Sequence, residues 1–292
     1  MEDELNYLDY IEHAPTDKRV ELCSIYYQIH PRCRTIQVVR LFESLKTNYF
    51  CITESFNTIK SNFKKVIKNY IELEKKGYAS SIYNQELLGM VRHFFSDVYS
   101  FLEIYVKIYT SLLSPKDRTT PSRKFSEHRK MVLKNSNVEE FVEYSKVLGA
   151  LTWYENFHII RSEETHWLLG TISVERNEDK YFIKYFSRTD SPRHDRDEMI
   201  EIEDVLLFIS DILNGVNKLF DYISVEILRS IDPNKRCAVS VGVIDGSLCV
   251  KGLSIIEYIL NKPGECLIWH GGCNKHGKTC FAEIRQDNES DC

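Results

Sequence analysis

FESLKTNYFCITESFNTIKSNFKKVIKNYIEL, residues 42–73, carries the fold in its spacing. Phe42, Leu45, Tyr49, Ile52, Phe56, Ile59, Phe63, Val66, Tyr70 and Leu73 recur at alternating steps of three and four. That rhythm returns an apolar residue to one face of an α-helix at every turn. It predicts a helix over about residues 38–76, on the order of 50 Å long at roughly 1.5 Å per residue. Gly77 follows as the expected stop.

Further along the chain the rhythm repeats. Leu87, Val91, Phe94, Val98, Phe101, Tyr105, Ile108 and Leu112 predict a second helix over about 84–113. Two long helices joined by a short link are expected to run antiparallel. A basic stretch over 115–134 follows, broken by two prolines and read as a loop. A shorter helix is expected over about 137–158, carrying Phe141, Leu148 and Leu151. Two strands around a polar turn at Asn177–Asp179 predict a β-hairpin near 170–188. After a second basic loop, Ile202, Val205, Ile209, Ile212, Val216, Leu219 and Ile223 predict a fourth helix over about 201–231, ended by Pro233. The tail from about 236 reads as a separate small unit, with two strands around Asp245-Gly246 and a short helix at SIIEYIL. Residues 1–37 are tyrosine-rich and expected to be irregular. The fold class expected is mainly α: an antiparallel four-helix bundle over 38–231 with an inserted β-hairpin, then a small β-containing C-terminal unit over 236–292.

Composition narrows the function classes. Hydrophobic residues make up 43% of the 292 and aromatic residues 12%, which suits a packed core. The net charge of -5 means that any polyanion site must come from a local basic patch. The acidic start MEDELNYLDY lacks the pattern of a secretory signal, and no run is apolar enough for a membrane span. Six of the nine cysteines lie after residue 236, which in a chain without an export signal points to reduced thiols or a metal site. The cytoplasm is the expected compartment.

The stretch IIRSEETHWLLG, residues 159–170, holds the candidate chemistry. Arginine followed at short spacing by histidine occurs three times: Arg123 to His128, Arg161 to His166, and Arg188 to His194. Only the second pair is flanked by apolar residues that would fix its backbone, among them Phe157, Ile160, Trp167, Leu168 and Leu169. A gap of this size can set both side chains on one side of a helix start or turn. Histidine titrates near neutrality and can move a proton. Arginine stays charged and can grip two phosphate oxygens at once. The alternative is a structural pair, with Arg161 bonded to Glu163 or Glu164 and His166 half-buried.

Long antiparallel helices with Arg-x4-His before the final helix resemble the HEPN superfamily, over roughly residues 38–231. The hairpin after the histidine is similar to branches of that superfamily that carry one. The resemblance implies a metal-independent endoribonuclease that cuts RNA by attack of a ribose 2'-hydroxyl, needs no cofactor and works as a homodimer, often in toxin or antiphage systems; a regulatory protein partner is also expected. It also admits members that only bind RNA or a protein. By the resemblance, Arg161 contacts phosphate and His166 is the acid or base. Ser162 stands where the family usually has Asn, Asp or His; it can donate a hydrogen bond with a shorter reach. The Trp167, Leu168 and Leu169 run is a candidate dimer surface.

Two further groups complete the candidates. Arg123, Lys124, Arg129, Arg188 and Arg193 lie in the basic stretches and are read as RNA-binding residues, against an alternative of ordinary solvated loops. Cys266, His270, Cys273, His276 and Cys280 fall within fifteen residues and carry the ligand types that zinc prefers, so they are a candidate structural zinc site. Their spacing matches no standard finger, and reduced thiols in a small β unit are the alternative.

Overall fold

The rhythm of residues 42–73 becomes one helix of 39 residues. In the computed structural model, α1 covers Thr16–Tyr26, α2 Ile36–Glu74, α3 Asn84–Leu112, α4 Phe125–Lys134, α5 Val142–Gly149 and α6 Tyr154–Trp167. Strands β1 (Thr171–Asn177), β2 (Lys180–Ser187) and β3 (Ile200–Ile202) precede α7 (Val205–Arg229). Strands β4 (Cys237–Ile244) and β5 (Ser247–Leu253), helix α8 (Ile255–Ile259) and strand β6 (Glu265–His270) follow. The structure describes residues 10–11, 13–31, 36–78, 80–113, 124–167, 170–178, 180–187, 200–244, 247–260 and 265–270; for 16–17, 163–167, 187, 238–244, 247–251 and 265–270 it describes the backbone alone. The protein is mainly helical, with two antiparallel three-stranded sheets among the described residues. No helix among the described residues is long and apolar enough to cross a membrane.

The chain divides into two compact units. The larger comprises Leu41–Thr110 and Pro115–Leu219. Its first helix buries Phe42, Leu45, Ile52, Ile59 and Val66, while Tyr49, Phe56, Phe63 and Tyr70 between them stay half-exposed. Gly77 ends the helix as expected, at φ 85°, where a side chain would be strained. The Tyr78 N–H reaches the Leu73 carbonyl at 3.0 Å and the Gly77 N–H reaches Glu74 at 2.9 Å, which closes the last turn. Cross-contacts make α2 and α3 antiparallel. Ser55 donates to Asp97 at 3.3 Å, Lys65 pairs with Glu86 at 3.1 Å, and Ser81 donates to Asn69 at 2.9 Å, so one number rises as the other falls.

An aromatic cluster joins α3 to the later helices. Phe95 meets Phe157 of α6 at 5.7 Å and Phe208 of α7 at 6.2 Å, both edge-on. Phe157 also meets Trp153 at 5.5 Å. Phe95 and Phe157, both buried, contribute roughly 1.5–3 kcal/mol each. Gly215 on α7 is where the Trp153 indole fits, since a Cβ there would lie 2.3 Å from its Nε1. Asp204 caps α7 by accepting from the N–H groups of Leu206 at 2.9 Å and Leu207 at 3.1 Å. The expected hairpin forms from β1 and β2, and the short β3, not foreseen in the sequence, adds to β2. Lys184 ties this sheet together through Glu201 at 2.8 Å, Glu203 at 2.9 Å and Glu175 at 3.3 Å.

Two expectations inside this unit are corrected. Residues 125–134 are a helix and not a loop, because Phe125, His128 and Val132 form a buried stripe beneath the basic residues. The helix expected over 137–158 is interrupted. A 3-10 turn at Glu139–Phe141 leads into α5, which ends at Gly149, and α6 starts afresh at Tyr154 with buried Leu151 and Trp153 between them.

The second unit comprises Met1–Arg40, Ser111–Ser114 and Phe220–Cys292. The N-terminal segment, expected to be irregular, holds α1. This helix buries Val20, Leu22, Cys23 and Tyr26. Tyr26 donates to the carbonyl of Ser254 at 2.9 Å, Arg19 pairs with Asp221 at 3.2 Å, and Tyr258 bonds Glu21. The β4–β5 hairpin and the short α8 form as expected, and β6 adds a third strand beside β5. Ser254 and Glu257 make a reciprocal capping box at the start of α8.

Candidate functional site

Helix α6 carries two stripes. Trp153, just ahead of it, with Phe157 and Ile160, faces the core. Tyr154, His158 and Arg161 follow steps of four and three alongside, a spacing that brings side chains together on one helix flank. Tyr154 is buried, whereas His158, Arg161 and Ser162 are half-buried.

Aromatic rings hold the basic groups of this flank. The Arg161 guanidinium carbon lies 4.0 Å from the centre of the Tyr99 ring on α3. The His158 ring stacks on Tyr154 at 5.7 Å, with the planes 9° apart. The Arg129 guanidinium carbon of α4 lies 5.0 Å from the same Tyr154 ring. Arg129 also donates to Glu155 at 2.6 Å and to the Leu148 carbonyl at 3.3 Å. Glu103 of α3 accepts the N–H of Phe125 at 3.1 Å and is hydrogen-bonded to Tyr99. Arginine, tyrosine, histidine, arginine and tyrosine thus run in a row across three helices.

The electrostatics follow from burial and from these neighbours. Burial holds the His158 imidazole below its ordinary pKa; Glu155 opposes this, while Lys130 and Arg161 add to it and Glu103 opposes it. The imidazole is therefore neutral at pH 7 and able to accept a proton. The Tyr99 hydroxyl is pushed up by burial and then by Glu103, with Arg161 pulling the other way. Burial and Glu155 push Tyr154 far above the usual phenol range, so it stays a neutral ring.

The pattern that drew attention to Arg161 takes a different form in the fold. It was expected at a helix start or turn, but both residues lie within α6. At about 100° per residue, the backbone position of His166 lies about 140° around the axis from Arg161, while His158 lies about 60° from it. The first Arg-His match is also resolved: His128 is a core residue, packed between Tyr109 and Tyr144. His158, Tyr99 and Glu103 were not singled out in the sequence. The signal for His158 was there, three residues before Arg161, but the Arg-x4-His pattern reads only forward.

The remaining candidates fall as follows. Lys124 is exposed and immediately precedes α4. Arg123, Arg188, His194, Arg193, Leu168 and Leu169 lie outside the described residues, as do Cys273, His276 and Cys280. For His166, Trp167, Cys266 and His270 only the backbone is described, the last two on β6. Among the described residues no group of three or more His, Cys, Asp or Glu side chains gathers to hold a metal ion. No family model, curated protein or solved structure matches the chain.

Proposed function

We propose that this chain is a metal-independent endoribonuclease of HEPN-like build, with the flank of α6 as its active surface. Arg161 supports the reading. It is a permanently charged guanidinium, half-buried, held over the Tyr99 ring at 4.0 Å and beside a neutral imidazole. Such a group can grip two non-bridging oxygens of a phosphodiester and offset the charge that builds on phosphorus. A histidine of α6 moves the proton, and the hydroxyl of Ser162 is one further donor for the phosphate. Lys124 and Arg129, with Arg123, Arg188 and Arg193, supply charge along the RNA strand. The protein acts in the cytoplasm as a homodimer, which doubles the groups in one cleft. A toxin or antiphage role and a regulatory protein partner fit the reading.

The test is cleavage of single-stranded RNA in EDTA, with 2',3'-cyclic phosphate ends on the products. Arg161→Ala should abolish it while the helical circular dichroism persists. Activity that disappears in EDTA and returns with Mg²⁺ rejects the mechanism.

One observation favours a second reading, a non-catalytic helical module that binds RNA or a protein. The separation of about 140° between Arg161 and His166 on a regular helix takes that pair apart. Tight RNA binding without cutting, unchanged by substitution of every histidine on α6, would select it.

A further inference from the structure

We infer that His158, and not His166, is the general base that works with Arg161; the inference rests on the ribonuclease reading above. Three observations place it there. His158 and Arg161 share one flank of α6, at the i, i+3 spacing where side chains meet. The His158 ring is held in one orientation by its parallel stack on Tyr154, which a proton-transfer group needs. It is half-buried, neither sealed in the core nor fully exposed.

The charged surroundings suit the same task. From α3, Glu103 faces the imidazole; from α4, Lys130; on its own helix, Glu155 and Arg161. Glu155 is committed to Arg129 at 2.6 Å and Glu103 to the Phe125 N–H at 3.1 Å, so neither carboxylate is drawn toward the imidazole as a fixed partner. Two cations and burial keep the ring neutral, ready to accept.

The step balances as follows. A ring nitrogen of His158 takes the proton from the ribose 2'-hydroxyl. The 2'-oxygen forms a bond to phosphorus, and the bond from phosphorus to the 5'-oxygen breaks. The electron pair of that bond goes to the 5'-oxygen, which takes a proton from water. Arg161 holds the phosphoryl oxygens throughout. The products are a 2',3'-cyclic phosphate and a 5'-hydroxyl, with the histidine left protonated until solvent takes the proton back.

The experiment uses the full chain, a single-stranded RNA oligonucleotide and EDTA. His158→Ala and His158→Gln should each lose about a hundredfold or more in kcat/KM. Added imidazole should restore part of the activity of His158→Ala, which a merely structural role would not allow. The acid limb of the pH profile should vanish in both His158 variants and persist in His166→Ala. His93→Ala, on the exposed side of α3, serves as the unaffected control. Circular dichroism and melting temperature confirm that each variant is folded, and His158→Gln keeps a planar polar group should His158→Ala fail to fold. If folded His158 variants cut RNA normally while His166→Ala does not, this inference falls and the ribonuclease reading stands. If the unaltered protein leaves RNA intact, the ribonuclease reading falls and this inference with it.

Discussion

His128 on α4 and His158 on α6 each rest against a tyrosine, yet the two regions give the imidazole opposite surroundings. His128 is 1% exposed, with Tyr109 at 5.3 Å and Tyr144 at 5.6 Å around it. Its Nε2 meets the Tyr144 hydroxyl at 3.1 Å, and its Nδ1 is buried with no hydrogen-bond partner among the described residues. Burial alone brings its pKa down to about 4. His158 is half-buried, stacked on one tyrosine and acted on by four charged groups. A ring sealed among aromatics is a core residue that happens to titrate. The same ring, half-buried among charges, is the one proposed above to exchange protons with a substrate. Spacing to an arginine does not distinguish the two cases; the solvent and the charges do.

The comparison can be broken most directly at His128. His128→Ala should cost ~2–4 kcal/mol of stability in a denaturant titration, through a cavity and the loss of its hydrogen bond with Tyr144. A cost near zero would mean that this histidine is not the core residue described here. Acid comes next. The His128 pKa is depressed in the fold, to about 4, from an unfolded value of about 6.5. Below about pH 6.5 the unfolded chain binds a proton that the folded chain refuses, so stability falls progressively until about pH 4. The loss totals roughly 3 kcal/mol. It should be missing from His128→Phe, measured as the difference between the two proteins across that range, which cancels the common titration of carboxylates.

Smaller effects sharpen the contrast. Tyr144→Phe should cost about 1–3 kcal/mol, since it leaves a buried imidazole with neither nitrogen paired. Tyr154→Phe keeps the ring that stacks on His158 and should cost about 1 kcal/mol or less, from the loss of its hydrogen bond to Ser126. Last, His158→Ala should change stability by under about 1 kcal/mol, as expected for a half-exposed side chain. A melting temperature that drops as far as in His128→Ala would place both histidines in the same structural class.

The long helices were legible because their apolar residues outnumber any competing signal on one face. Phe42 to Leu73 and Leu87 to Leu112 keep their step for many turns. Helix α4 was hidden by its own charge, since Lys124, Arg129, Lys130 and Lys134 dominate a segment whose buried stripe is three residues long. Helix α1 was hidden because Leu22 and Cys23 are adjacent and Val20 and Tyr26 flank them, so no clean stripe emerges although all four are buried. The break before α6 has no proline to announce it, and it was the break that moved Arg161 from a junction into a helix. Once residues 154–167 are one helix, positions three and four apart are neighbours, and His158 is the histidine at such a spacing from Arg161.

The seat of Trp153 against Gly215 gives the molecule an optical readout of its own. The indole is 5% exposed, and its Nε1 is buried with no hydrogen-bond partner among the described residues. An indole so shielded from water emits at short wavelength, and it shifts to the red when water reaches it. Trp153 immediately precedes α6, so its emission reports whether the helix bearing His158 and Arg161 is seated. With Trp167 and Trp269 replaced by phenylalanine, the last indole becomes a probe that can be followed while RNA is added. A colour change on binding would then be a movement of this helix, seen without any attached label.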